Sequence, residues 1–114
     1  MGRNKFGNKP ITIDCINFPS KAEGSRYLQL KLMAQSGEIT KLRVHPPFVI
    51  VNDFTYRGKK VRGITYVPDF TYLDLRDNEL VAEDVKGRLT DVYKLKAKLF
   101  KKRYPKYRLV EVFM

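Results

Sequence analysis

The chain has one cysteine, one histidine and no tryptophan, and it is short of acids, with 12 Asp and Glu against 23 Lys and Arg. A lone Cys15 closes no internal disulfide. Together with a single His45 it also leaves no Cys/His set for structural zinc. His45 stands directly before Pro46-Pro47 and is set aside as the base of a Ser or Cys nucleophile. No apolar run is long enough to cross a membrane. The basic start leads through Lys9-Pro10-Ile11-Thr12 into no apolar signal core, so a reducing, cytoplasmic setting is expected.

What is present is charge of one sign. A net charge of +11 on 114 residues makes nucleic acid the first expected partner. An anionic membrane surface would need an amphipathic helix with a free apolar face, and both helices are needed for the core. The length suits one domain, read as a basic arm over 1–10 and a folded part over 11–114.

Residues 66–87, YVPDFTYLDLRDNELVAEDVKG, carry the densest chemistry. Two strand-like runs, 64–75 and 79–86, flank the turn residues Arg76-Asp77-Asn78. Strand side chains alternate faces, so Asp84 and Lys86 share one face, roughly 7 Å apart along the strand, while Val85 points to the other. A hairpin lays Asp69 beside Asp84. Two adjacent carboxylates repel, and a divalent cation removes the conflict. Oxygen donors suit Mg²⁺, with Mn²⁺ as a substitute. A neighbouring lysine would then steady charge on a phosphate. The plain alternative is a hairpin with incidental surface charges.

The rest of the chain reads as αβββαβ after an N-terminal hairpin, 11–13 with 16–18. The first helix, 20–35, opens on a capping-box pattern, Ser20 with Glu23 three residues on, and closes at Gly37. Its apolar stripe runs Glu23, Tyr27, Leu30, Ala34. Glu23 therefore either caps its own helix or reaches the carboxylate patch. Leu28 and Leu32 fall on a different stripe, free for a second copy or packed under the hairpin. A strand over 40–51 is interrupted by Pro46-Pro47. A hairpin tip at Arg57-Gly58 gathers Arg57, Lys59, Lys60 and Arg62 with Phe54 and Tyr56, a pattern that fits either a loop gripping phosphates or a solvated tip. The second helix, 91–103, is expected to bury Val92, Leu95 and Leu99. Lys94, Lys98, Lys101 and Lys102 lie opposite, with Lys96 and Arg103 on the core side. Such a face is usually just solvated, but acids for balancing pairs are missing there, so phosphate contact stands level with a solvated face. The last strand, 107–113, is expected to be well buried and parallel to its neighbour.

Pro68-Asp69 on one strand and Asp84-Val85-Lys86 on the next resemble the PD-(D/E)xK nuclease superfamily, whose first helix often supplies a Glu, here Glu23. More narrowly, GNKP, SKxExxRY, YVPDF, EDVKG and YKLKAKLF resemble a family of small phage proteins regarded as similar to Holliday-junction resolvases. Two departures are Gly24-Ser25, where stronger helix formers are expected, and Cys15 in place of a turn glycine. The resemblance implies an α/β (α+β) restriction-endonuclease-like core, with a central mixed sheet flanked by helices. It implies a Mg²⁺-dependent endonuclease acting on branched DNA as a homodimer in the host cytoplasm. Asp69, Asp84, the Val85 carbonyl and Glu23 would hold metal. Lys86 would position water or steady the transition state, and Lys96 would touch the scissile phosphate. Lys94, Lys98, Lys101, Lys102 and the 57–62 loop would hold DNA backbones. Glu83 faces the other side of its strand and is left out. Two other classes stay open: a non-catalytic nucleic-acid-binding module on the same fold, and a small RNA-binding protein.

Overall fold

A computed structural model describes residues 9–114. The arm expected at 1–10 lies almost wholly outside the described residues. The fold opens on a hairpin of β1 (Ile11–Ile13) and β2 (Ile16–Phe18). Its two-residue turn needs left-handed backbone at both positions, and Asp14 (φ 53°) and Cys15 (φ 63°) supply it. The Asp14 carboxylate accepts hydrogen bonds from Tyr27 (2.7 Å) and Lys31 (2.6 Å), fastening the turn to α1 (Lys21–Gln35). Gly24 has a packing reason: a Cβ there would come within 2.9 Å of Ile11 Cγ2 and 3.1 Å of Ile13 Cδ1, so a larger residue would force those hairpin side chains to shift.

Ser20 caps α1 by accepting the Glu23 N–H (3.2 Å), a contact of the kind that contributes about 1 kcal/mol. At the other end Gly37 (φ 82°) turns the chain, with Glu38 N–H bonding Met33 O and Gly37 N–H bonding Ala34 O. This is the paired closure that glycine permits after a helix.

The central sheet has four strands, β3 (Ile39–Val44), β8 (Phe70–Asp74), β9 (Glu79–Lys86) and β10 (Tyr107–Phe113), in spatial order β10-β9-β8-β3. β3/β8 and β8/β9 are antiparallel, and β9/β10 is parallel. The sheet is thus mixed, and the architecture is α+β, with two helices among the described residues. α2 (Asp91–Arg103) supplies the crossover that a parallel pair requires.

The alternation of β9 sorts the core into two layers. Val81 joins Phe18, Tyr27, Leu30, Ile39, Phe70 and Tyr72 under α1. Ala82 joins Ile50, Tyr66, Tyr93, Ala97 and Phe100 under α2. Burial of a side chain the size of Phe100 contributes about 1.5–3 kcal/mol; Tyr104 stacks on it, Phe48 and Tyr66 meet it edge-on, and Tyr107 packs at a tilt.

Several expectations are corrected. The run 40–51 is not one strand. Pro46-Pro47 divides it into β3 and β4 (Phe48–Val51), which belong to different sheets. The run 64–75 divides likewise at Val67-Pro68 into β7 (Ile64–Tyr66) and β8. Proline lacks the N–H a ladder needs, so the pairing changes partner at both places. β4 pairs with β7, and beyond them β5 (Phe54–Tyr56) pairs with β6 (Lys59–Val61). Helix α2 does not bury Val92 and Leu95, which are 65% and 54% exposed; the sheet-facing stripe is Tyr93, Ala97 and Phe100. Aromatic bulk and an alanine fit the sheet more closely than the aliphatic stripe at the alternative phase. Arg103 is exposed rather than on the core side, while Lys96 is half-buried. β10 is parallel as expected but is an edge strand with no fully buried residue, and Phe113 is 61% exposed.

Among the described residues, no helix is long and apolar enough to cross a membrane.

Candidate metal and phosphate site

Asp69 lies where three strands meet. Its N–H donates to Glu83 O on β9, and its carbonyl accepts the N–H of His45 just past β3, both at 3.0 Å. Its Oδ2 accepts the Val85 N–H at 2.7 Å. The β8/β9 register pairs Phe70 with Glu83, which carries Asp69 alongside Asp84. Backbone bonds from two neighbouring strands therefore fix this aspartate.

Its electrostatics are adverse. Burial above all, then the negative charges of Glu23 and Asp84, push the Asp69 carboxyl up to about 8; the Val85 N–H and Lys86 only partly oppose this. Glu23 and Asp84 are themselves 4% and 5% exposed, so water screens the three acids poorly.

Asp84 is held at both oxygens. Oδ1 lies 3.0 Å from Lys86 Nζ, as expected for neighbours on one strand face. Oδ2 accepts the Tyr66 hydroxyl. Burial and that hydrogen bond raise the Tyr66 phenol, which stays protonated and keeps donating. Lys86 in turn sits 3.6 Å over the Tyr93 ring. A cation on an aromatic face gains about 0.5–2 kcal/mol depending on its exposure, and here the ring fixes where the ammonium rests. The Tyr93 hydroxyl donates to Glu111 (2.9 Å), which locks the ring.

Asp84, Lys86, Lys96, Tyr66, Tyr93 and Thr90 line a cleft of about 280 Å³. Thr90 also caps α2, accepting the Tyr93 N–H at 3.1 Å, so the positive end of the helix opens into the same cleft. A second hollow of about 320 Å³ on the far side of Tyr93 is lined by Lys94, Lys98 and Lys101 with Glu111. Lys102 is exposed nearby. Arg57, Lys59, Lys60 and Arg62 are all exposed and lie about 30 residues before Lys86 in sequence, on the separate β5–β6 ribbon.

Glu23 answers the question its spacing left open. Its backbone N–H serves the Ser20 cap, but its carboxylate bonds His45 Nε2 at 2.5 Å and does not return to its own helix start. Glu23, His45 and Asp69 each offer one ligand atom, all within 4.8 Å of one another. His45, set aside from the sequence, is thus part of the cluster. Its distance along the chain from Glu23 hid it, as did its left-handed backbone (φ 53°). Tyr66 and Tyr93 open the YVPDF and YKLKAKLF segments, but no sequence pattern assigns them a role; the structure places Tyr66 on Asp84 and Tyr93 under Lys86. Val85 reaches the site through its N–H and packs its side chain against the α1 core.

A family model described as a protein of unknown function (DUF1064) matches residues 3–113. The chain belongs to the DUF1064 family. Comparison with curated proteins and with solved structures gives no match. The DUF1064 match spans the residues of the cleft, Thr65 to Lys96, together with Glu23 on α1 and Glu111 on β10.

Proposed function

We propose that this DUF1064 chain is a divalent-metal-dependent endonuclease that hydrolyses phosphodiester bonds in DNA. The observation that carries this reading is the buried confrontation of Asp69 and Asp84, with Lys86 at 3.0 Å from Asp84 on the wall of an open, basic cleft. A perturbed carboxylate, here Asp69, set beside a carboxylate that lines a cleft, here Asp84, marks a functional-site candidate. The order of elements around the central sheet, α1-β3-β8-β9-α2-β10, supports a restriction-endonuclease-like core. The donor set suits a divalent ion: carboxylates whose mutual repulsion a positive charge relieves. Asp69, Asp84 and Glu23 would hold it, with Mg²⁺ or Mn²⁺ as the ion. When bound, it would supply Lewis acidity and a more acidic water.

The protein's own groups do the rest. Tyr66 holds the Asp84 carboxylate in one orientation. Lys86, seated between Asp84 and the Tyr93 ring, orients the attacking water and steadies charge on the phosphoryl oxygens. Lys96 binds the phosphate from the opposite wall. A water oxygen bonds to phosphorus as one ester P–O bond breaks, leaving a phosphate monoester and a hydroxyl. Exposed Lys94, Lys98, Lys101 and Lys102 with the β5–β6 ribbon hold the flanking backbones. The contacts proposed here are all to phosphates, which position a protein on DNA without reading its bases, so DNA structure matters more than sequence. Branched DNA is the proposed substrate, in the cytoplasm. A homodimer would supply two sites related by a twofold axis; Leu28 and Leu32, exposed at 46% and 66% on α1, are the surface it would use.

The experiment is a cleavage panel of linear, flapped and four-way DNA with Mg²⁺, with Mn²⁺ and with EDTA, alongside light scattering. Metal-dependent cuts, paired on opposite strands of the junction by a species of twice the monomer mass, are expected. DNA binding with no cutting in either metal leaves a non-catalytic binding module. Tighter binding to RNA than to branched DNA at equal salt moves the reading to RNA.

A further inference from the structure

We infer that His45 is itself a metal ligand, and that its nitrogen sets this site to prefer Mn²⁺ over Mg²⁺. The inference rests on the metal site proposed above and deepens it. Donors of one first-row ion, each about 2.0–2.2 Å from it, stand at most about 4.4 Å apart. The Glu23, His45 and Asp69 ligand atoms lie within 4.8 Å, so small shifts bring them to donor spacing, with the 2.5 Å His45–Glu23 hydrogen bond opening and its proton leaving as the ion enters.

The placement of His45 is imposed rather than incidental. It holds a left-handed φ of 53° directly before Pro46, a combination unfavourable for a side-chain-bearing residue. Strained backbone of this kind costs of order 1–3 kcal/mol and persists only where the surroundings enforce it. Here the enforcing bond is His45 N–H to Asp69 O (3.0 Å), which ties the imidazole to the residue supplying a neighbouring carboxylate. The ring lies against Phe18, 5.9 Å between centroids. The His45 side chain is 33% exposed against 5% for Glu23, so the imidazole stands at the solvent side of a buried carboxylate. Asp69 already accepts the Val85 N–H, so its closeness to the imidazole is not demanded by hydrogen bonding.

Nitrogen is the discriminating element. Mg²⁺ is a hard ion that takes oxygen and gives up water reluctantly, whereas imidazole raises affinity along the first transition row. The expectation of Mg²⁺ as the principal ion came from oxygen donors alone.

The test uses the full chain without DNA and each metal chloride alone. Calorimetry should show wild type binding Mn²⁺ about tenfold or more tighter than Mg²⁺. His45→Gln should lose about tenfold or more in Mn²⁺ affinity and no more than about threefold in Mg²⁺ affinity. Equal losses for both ions, or none for Mn²⁺, overturn the inference. Melting in EDTA separates the structural role: a His45→Gln protein that melts lower but binds Mn²⁺ like wild type also overturns it. Should the variant fail to fold, pulsed electron paramagnetic resonance on Mn²⁺-loaded wild type reads ligation directly. A ¹⁴N coupling is expected, and its absence overturns the assignment. None of these readouts needs cleavage. A protein that binds Mn²⁺ through His45 yet cuts nothing sinks the nuclease reading and leaves this one standing.

Discussion

Glu83 and Asp84 are consecutive carboxylates on one strand, both almost fully buried, and they live in opposite circumstances. Glu83 faces α1. It receives two bonds from the Arg26 guanidinium, at 2.8 and 2.6 Å, and a third from the Tyr72 hydroxyl. The Arg26 pKa is raised by that hydrogen bonding, and Tyr72 is held protonated by burial and the bond to Glu83. Its charge is matched. Asp84 faces α2, where Lys86 and Tyr66 attend it but Asp69 presses against it with Glu23 behind. The period of two along a strand is what separates them. Burial alone therefore does not separate the two carboxylates; what separates them is whether the neighbours are cations or other acids. Among the described residues no buried side-chain nitrogen or oxygen lacks a hydrogen-bond partner, so the conflict at Asp69 is one of charge and not of missing bonds.

The sharpest way to break this contrast is to neutralise each carboxylate in turn. Asp84→Asn keeps shape and removes an anion from the conflict. Cleavage should fall by roughly a hundredfold or more, the scale of removing one electrostatic stabiliser of a transition state, while the melting temperature holds or rises. Glu83→Gln should do the reverse. It leaves Arg26 facing a neutral partner in a largely buried site. Complete loss of a buried partner costs about 3–5 kcal/mol, and the partial exposure of Arg26 together with the retained amide bring this nearer 2 kcal/mol. That corresponds to a drop of about 8 °C or more in a domain of this size, with metal affinity unchanged. Paired cleavage assays and thermal melts decide it. If Asp84→Asn cuts at the wild-type rate, or if Glu83→Gln abolishes metal binding without loss of stability, the roles have been assigned to the wrong faces.

A subtler contrast is with Asp69, whose conflict should be visible as a pH effect. Its folded carboxyl is pushed to about 8 from an ordinary 3.8. Between those values the folded protein keeps a proton that the unfolded chain has released. The associated stability is complete below about pH 4 and is lost as pH rises toward 8. Asn does not ionise. In EDTA the melting temperature of Asp69→Asn should pull ahead of wild type as pH rises from 5 to 8, and the gap should level off above that. A constant gap across the range would mean Asp69 is ionised throughout and feels no such repulsion.

The meeting of Asp69 and Asp84 is legible in the chain because it depends on local rules: a short polar turn after Asp74, alternation along 79–86, and the register that follows. The two helices and their caps are legible for the same reason, since Ser20, Thr90 and Gly37 act within a few residues. Partner choice is not. Nothing in 40–51 or 64–75 says that the halves either side of a proline join different sheets, because that depends on which neighbours are left to pair. The phase of α2 misleads because Tyr93, Ala97 and Phe100 are as periodic as Val92, Leu95 and Leu99. His45 is hidden most completely: it reaches Glu23 from 22 positions away, on a backbone turn that no spacing rule anticipates. Gly24 reads as a weak helix residue until the hairpin lying over it is seen.

The smallest effect concerns the cations, which divide as the acids do. Lys86 is held between Asp84 and an aromatic face, whereas Lys98, Lys101 and Lys102 are exposed on the outer side of α2. In the proposed function the first belongs to the reaction and the others to the grip. Binding through phosphates releases counterions, so log K should fall with log salt by about 0.9 for each phosphate neutralised on duplex DNA. Replacing Lys98, Lys101 and Lys102 by Gln should flatten that slope by up to about 2–3 and leave the rate of cutting at saturating protein close to wild type. The ribbon offers an independent comparison. Gly63 fixes its base, since a Cβ there would lie 1.9 Å from Val51 O, and its N–H is bonded to Asp53 (2.7 Å). Beyond that base Arg57, Lys59 and Lys60 stand in solvent with Tyr56 exposed. Gln at those three positions should lower the slope by a similar amount if the ribbon lies along the DNA. Measured by fluorescence anisotropy over a salt series, an unchanged slope in the helix variant and a reduced one in the ribbon variant would move the grip from α2 to the ribbon.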